Sequence, residues 1–501
     1  MEKGIETVQL WFQPGDRREG FRWSAAYQGR MVGLCGQPFC EICNLTEREN
    51  LKGFRGGELE VTLVPYRRPT FWKEEIFYLG HLVKVPEREA VRVVGVDEGI
   101  EFDISRLNTL LCTTTKGSIL IDPGLMGFNA DELGFQRLIG SQRIVATIIT
   151  HGHLDHWNHL GETRGRVFMT KLAYQLASRH AAWQRDGQLV GALRRATLVV
   201  PGDPILLDGL PFKVDTFSLP HSIPETMGLV IKGTKKRVVH LADFKLSGWD
   251  GESKAKTIAI LQEIAKEKVD ILALTIINAH LPGFVPIETL VIDTLTDILA
   301  GAKGRVVITC FSSNLERIRR IVEVAQLRKR PVAFYGAGMK NSQELLGIKT
   351  EEGATESKEA VIFVTGCQAE ENSVLWRIAT RQSLPFELWP SDTLVFSSRG
   401  IPGKETELSP LTTNLRPRVD RLIVHRGEVE QLGLKGLGVE EMLIHISGHE
   451  YGGGLQLVSE ILRPKQALAW PQVSPQIEAF RKIAEPLGIE ILDEKERVIE
   501  I

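Results

Sequence analysis

The sequence predicts a layered α/β fold of more than one domain, and two observations carry that expectation. From Ser118 onward, short runs rich in β-branched residues alternate with amphipathic stretches of helical period. At 501 residues, 43% of them hydrophobic, the chain can bury large cores and exceeds the usual size of one domain.

Strands are expected at 118–122, 144–150, 237–243, 271–277, 305–311, 332–336, 360–366, 393–398, 421–426 and 441–447. Amphipathic helices are expected at 251–268, 287–302, 314–327 and 454–462. Residues 1–80 read differently, with Gly, Arg and aromatic residues, and form a separate N-terminal element of uncertain fold. Within it, Cys35, Cys40 and Cys43 have C-x4-C-x2-C spacing, which suits a structural zinc; free loop thiols are the alternative. Cys112, Cys310 and Cys367 fall in or beside strand candidates and read as core.

Charged residues make up 25% and the formal net charge is -2, so the whole molecule does not attract nucleic acid electrostatically; a local basic groove remains open. No apolar run approaches the roughly 18 residues of a membrane span. The start shows no signal peptide, and six cysteines are too few for a disulfide scaffold, so a cytoplasmic setting is expected.

The chemistry concentrates in His151-Gly152-His153-Leu154-Asp155-His156, directly after the strand candidate 144–150. Functional residues in layered α/β proteins sit where strands give way to loops. Three of the chain's 12 histidines lie in these six residues, which argues against a solvated loop. The i, i+2 spacing puts His151 and His153 on one side of an extended turn, while Asp155 and His156 face a neighbouring point. Imidazole with carboxylate suits zinc, and also manganese. His221 follows a strand-like run, and Asp243 closes the candidate 237–243, where a carboxylate can bridge two metals. Asp122, before Pro123-Gly124, is expected to orient a ligand or to form a turn. Ser312, Ser313 and Asn314 open a helix, where donors attract an anion; an ordinary N-cap is the alternative. Arg317, Arg319, Arg320, Arg328, Lys329, Arg330 and Lys340 make this region basic and read either as an RNA path or as a solvated helix face.

These residues resemble the metallo-β-lactamase superfamily, and more narrowly the β-CASP nucleases of the ribonuclease J type. The HxHxDH segment is the superfamily signature. His221-Ser222-Ile223-Pro224-Glu225, Ala242-Asp243-Phe244-Lys245 and Asn278-Ala279-His280-Leu281-Pro282-Gly283-Phe284 match later segments of the group. So do Thr309-Cys310-Phe311-Ser312-Ser313-Asn314, Val364-Thr365-Gly366-Cys367-Gln368-Ala369-Glu370 and His445-Ile446-Ser447-Gly448-His449. The likeness runs from about residue 95 to the end.

The resemblance implies a four-layer αββα domain, over 81–284 and 441–501, with an α/β β-CASP domain inserted at 285–440. It implies a metal-dependent ribonuclease, cutting internally, from the 5′ end, or both, with RNA threading the cleft. His151, His153 and His221 would hold one zinc, Asp155 and His156 a second, and Asp243 would bridge them. One or two ions per chain are expected, with manganese an alternative. Asp155, His445 and His449 would carry catalysis, the two histidines binding the scissile phosphate or protonating the leaving oxygen. Ser312, Ser313, Asn314 and Ser447 would bind substrate. A homodimer follows by analogy only.

The pattern breaks twice. Where the family has an acidic residue before Asn278, this chain reads Thr275-Ile276-Ile277. Where it has a late histidine, this chain reads Trp470-Pro471-Gln472-Val473, and no histidine follows His449. Water or Gln472 would then fill the second metal's last position. Two alternative readings follow: a catalytically weak RNA-binding relative acting as an accessory subunit, and a metallo-hydrolase of another phosphoester.

Overall fold

The computed structural model describes residues 109–124 and 143–501, less 115, 208, 210–211, 249–250, 351–352, 383–384, 402, 493–497 and 501, together with the backbone of five N-terminal strands. The chain divides into two compact units, Met1–Phe102 and Asp103–Ile501.

In the first unit, Glu6–Pro14, Trp23–Tyr27, Arg30–Leu34, Gly57–Thr70 and Lys73–Leu82 form one antiparallel sheet. Gly57–Thr70 and Lys73–Leu82 make a long hairpin in register from Thr62↔His81 to Thr70↔Lys73. Cys35, Cys40 and Cys43 lie outside the described residues.

The second unit contains three sheets. In the first, the order is Ala196–Leu198, Arg166–Met169, Ile144–Ile148, Gly117–Ile121, Leu110–Thr114 and Val498–Glu500. In the second it is Pro204–Ile205, Lys213–Ser218, Met227–Lys232, Arg237–His240, Ile271–Thr275, Gln466–Trp470 and Glu490–Ile491. One core joins them: Ile119, Ile148 and Phe168 of the first sheet cluster with Leu229, Ile271 and Trp470 of the second. The outer face of the first sheet packs on the helices Lys171–Gln184 and Gly187–Leu193 through Ala173 and Leu189. The outer face of the second packs on Gly251–Ile264, Gly452–Leu462 and Gln476–Ala484 through Leu261, Val458 and Phe480. Two sheets face to face between two helical layers make the expected αββα stack.

The third sheet is wholly parallel, in the order Val332–Tyr335, Val361–Val364, Val306–Thr309, Thr393–Phe396, Arg421–His425 and Glu440–Met442. Its strands, apart from the edge strand Glu440–Met442, are largely buried on both faces, as a parallel sheet between helices requires. This body is one long crossover. The chain leaves the second sheet after Ile271–Thr275 and returns in Gln466–Trp470, its parallel neighbour, with Thr275 opposite Trp470.

Most predicted strands begin where expected but stop two to three residues early. The strand expected at 237–243 ends at His240, and only Glu440–Met442 of 441–447 is strand. The missing residues have turned into loops that carry site residues. Asp122 and Ala242 adopt left-handed φ of 47° and 51°, which ladder pairing does not permit.

In the inserted body, buried Arg305 donates to Asp392 at 2.9 and 2.6 Å and to the Thr355 and Glu387 carbonyls. Removing one partner strands the other charge away from water. Arg305→Ala is expected to lower unfolding stability by about 3–5 kcal/mol in urea titrations, against about 0.5 kcal/mol or less for half-exposed Asp155→Ala. Equal midpoints for the two variants would contradict this account.

Candidate metal centre and cleft

The strand Ile144–Ile148 delivers its chain end into the loop holding His151, His153, Asp155 and His156. Gly124 allows the loop to close, since a Cβ there would stand 2.0 Å from the Asp155 carbonyl oxygen. His221 comes from the turn after Lys213–Ser218, and Asp243 from the turn after Arg237–His240.

Three imidazoles converge. His153 Nδ1 lies 3.1 Å from His151 Nε2 and 3.0 Å from His221 Nε2. Their outer nitrogens are committed elsewhere. His221 Nδ1–H donates to the Gly448 carbonyl at 2.7 Å, which leaves Nε2 a bare lone pair. His151 Nδ1 pairs with Thr150 Oγ1 at 3.0 Å, and that hydroxyl bonds Asp122 Oδ2 at 2.6 Å. Burial, with neighbouring histidines, holds His151 and His221 well below the ordinary range, and burial takes His153 to about 4. Three neutral nitrogens aimed at one point suit a cation. A tetrahedral zinc with nitrogens at about 2.0–2.1 Å needs them about 3.3 Å apart, close to the spacing found. Asp243 Oδ2, 3.9 Å from both His151 Nε2 and His221 Nε2, completes the group.

His156 faces the same carboxylate from the other side, with Nε2 3.2 Å from Asp243 Oδ2 and 3.9 Å from Asp155 Oδ2. Its Nδ1 is held by Asp122 at 2.9 Å. Burial opposes charge on His156, but Asp243, Asp122 and Asp155 outweigh it and hold its pKa well above the ordinary range. Burial likewise opposes charge on Asp243, and His449 and His156 outweigh it, holding the carboxyl well below its usual range. Asp122 thus orients two ligands at once, one directly and one through Thr150.

The second half of the centre is looser. Asp155 keeps 39% of its side chain exposed. Gln472 does not turn toward the histidines as expected: its Nε2 donates to the Ala469 and Leu492 carbonyls, and it lines a different cavity. Buried Thr275 ends its strand beside Trp470.

The cluster opens into a cavity of about 650 Å³ that also reaches Ser312, Ser313, Asn314, His445, Ser447 and His449. Asn314 is the N-cap of the helix Leu315–Leu327, the plainer of its two readings, and lines the cavity as well. Ser312 comes close to the neighbouring helix because Gly338 has no Cβ, which would sit 2.9 Å from its hydroxyl. Ser447 Oγ accepts from Asn278 Nδ2 at 2.8 Å and from the His449 amide at 3.1 Å, so its own proton is its remaining donor. His449 Nδ1 lies 3.7 Å from Asp243 Oδ1.

Sequence reasoning missed the support beneath His445. Arg317 places NH1 3.1 Å from His445 Nδ1, bonds the Ser397 and Ile446 carbonyls, and pairs with Glu288 at 3.0 Å. Glu288 also takes Lys245 at 3.1 Å, and all three charged groups are buried. Burial and the Arg317 guanidinium hold His445 far below the ordinary range, so it is neutral, with Nδ1 accepting and Nε2–H donating. Much of the basic run is engaged within the protein. Arg317 is buried, Arg319 and Arg320 pair with Glu316 and Glu323, and Arg330 is spent on the Leu299, Gly304 and Glu359 carbonyls. Burial pushes the Cys112 and Cys310 thiols up to about 12, so both behave as core residues.

Comparison with known proteins fits this geometry. Residues 118–269 match the β-lactamase superfamily domain, and residues 303–415 match the β-CASP domain of ribonuclease J. The chain therefore carries a metallo-β-lactamase-type domain and a β-CASP domain similar to that of ribonuclease J. Ribonuclease J of Sinorhizobium meliloti is 30% identical over 336 residues, covering 65% of this chain and 57% of that protein. Ribonuclease J of Thermus thermophilus is 28% identical over 349 residues, covering 66% and 58%. Ribonuclease J 1 of Streptococcus pyogenes is 27% identical over 377 residues, covering 69% and 63%. The chain thus spans somewhat over half the length of these relatives. A crystal structure of a protein of unknown function from Enterococcus faecalis V583 aligns with a TM-score of 0.50 at 13% identity. It covers 78% of this chain and 96% of that one, a likeness of fold alone.

Asp122→Ala is expected to weaken metal binding by roughly 10- to 100-fold in chelator competition, because two ligands lose their orientation. Unchanged affinity would refute the role given to Asp122.

Proposed function

We propose that this chain is a metal-dependent ribonuclease that hydrolyses RNA phosphodiester bonds, internally, from the 5′ end, or both. The observation that carries the reading is the group of three converging lone pairs and one carboxylate, opening onto a cavity lined by hydrogen-bond donors. His151, His153 and His221 would hold one ion, Asp155 and His156 a second, and Asp243 would lie between. Zinc is the favoured ion by ligand type, with manganese second. When bound, such ions supply Lewis-acid chemistry and a water activated near neutral pH.

The chain's own residues do the rest. Neutral His445 donates from Nε2 to a phosphoryl oxygen rather than giving up a proton as an acid, since its environment disfavours the imidazolium. Ser447, Ser312 and Ser313 add hydroxyl donors to the same anion, and the helix starting at Leu315 adds the positive end of its dipole. His449, at the edge of Asp243, would meet the leaving oxygen. The relatives' names favour this hydrolase over a non-catalytic RNA-binding accessory subunit. The reading includes RNA as partner, a cytoplasmic setting, a homodimer by family analogy, and domain limits of 1–80, 81–284 with 441–501, and 285–440. No described helix is long and apolar enough to cross a membrane.

The test is cleavage of a labelled single-stranded oligoribonucleotide by the purified chain supplied with zinc or manganese. Asp155→Ala is expected to lower the rate by about a hundredfold or more, because a metal's stabilisation is worth several kcal/mol. A metal-loaded parent that leaves the oligomer intact would end the ribonuclease reading.

A further inference from the structure

The cavity has two chemical ends, and the function above uses one. Besides the donors, its wall includes the apolar side chains of Leu154, Leu176, Trp183 and Ile401. Three of these are large apolar side chains held in water: Trp183 is 69% exposed, Ile401 50% and Leu154 44%. Leu154 and Asp155 are consecutive in the metal loop, so the apolar end is continuous with the metal centre.

Trp183 does not stand alone. It sits in the last turn of Lys171–Gln184, three residues after His180, on the same helix face. The His180 ring meets the Trp183 ring edge-on at 6.2 Å, and meets Trp157 on its other side at 5.4 Å. Trp157 is buried, follows His156 directly, and donates its indole N–H to the Gly152 carbonyl at 3.0 Å. An aromatic file thus runs from the metal loop to an exposed indole face. Across the cleft, Arg179 of the same helix pairs with Glu344 of the helix Ala337–Leu345 in the inserted body. Burial in the core cannot explain an indole so exposed. A flat π surface beside a phosphate site is what an unpaired nucleobase stacks on, whatever its identity.

We propose that Trp183 is the platform of a nucleobase subsite, with Leu154 and Ile401 as its apolar flanks, and that it holds one base of a single-stranded nucleic acid while the backbone lies at the metal centre. The proposal rests on the nuclease reading for the placement of the backbone.

The test uses the full chain carrying Asp155→Ala, so that substrate stays uncut, and a short end-labelled oligoribonucleotide read by fluorescence anisotropy. A second oligomer has the same phosphates but abasic sugars. The base-bearing oligomer is expected to bind roughly tenfold more tightly than the abasic one. Adding Trp183→Ala should abolish that preference, and Trp183→Phe should keep most of it. Binding should also quench tryptophan emission, and the quenching should disappear in Trp183→Ala. If the preference survives Trp183→Ala, or if neither oligomer binds, the subsite is overturned. If the preference depends on Trp183 but the parent with intact Asp155 cuts no RNA, the subsite stands and the nuclease reading falls.

Discussion

One buried carboxylate connects the two halves of the site. Glu288, at the start of the inserted body, takes Lys245 from the four-layer domain and Arg317 from the helix Leu315–Leu327. Three charges without water are costly unless each finds good partners. Here Glu288 is shared, and Arg317 is completed by two carbonyls and His445. Burial opposes ionisation of Glu288, but Arg317 and Lys245 outweigh it and hold its carboxyl below the usual range. Lys245 lies two residues after Asp243, and Arg317 adds to the burial that keeps His445 neutral. Asp243 and His445 are therefore both tied to the same oxygen pair.

How much of this was legible in the sequence depends on distance along the chain. The four ligands of the hexad lie within six residues and declare themselves by density. Their orienting partners do not: Thr150 meets Asp122 across 28 residues, and His221 meets the Gly448 carbonyl across 227. A backbone carbonyl leaves no trace in residue identity, and a lone Glu288 or Lys245 looks like any surface charge. The fold class was legible because strand and helix periods are local. Strand ends were read too long because Asp122 and Asp243 belong to loops whose backbone leaves the β region at the last step. The solvated-face reading of Arg319 and Arg320 had a local signal, since Glu316 and Glu323 stand at helical spacing from both.

The two proposed metal positions differ in how firmly they are built. The first is enclosed by histidines whose outer nitrogens are each committed. The second rests on His156, locked by Asp122, and on Asp155, which is far more exposed. Neither Thr275 nor Gln472 supplies what the family pattern lacks there, so Asp243 carries more of the task of holding both halves together.

Gly448 gives this arrangement an order in time. His151, His153 and His221 leave the ribosome well before residue 448, yet the carbonyl that fixes His221 arrives only after the whole inserted body. During synthesis the first three ligands are present but one imidazole has no set tautomer. Position 448 admits no side chain either, since a Cβ would lie 2.6 Å from the His221 ring. The pocket is thus finished by a segment made only after the inserted body, and a nascent chain lacks this carbonyl until that body has been synthesised.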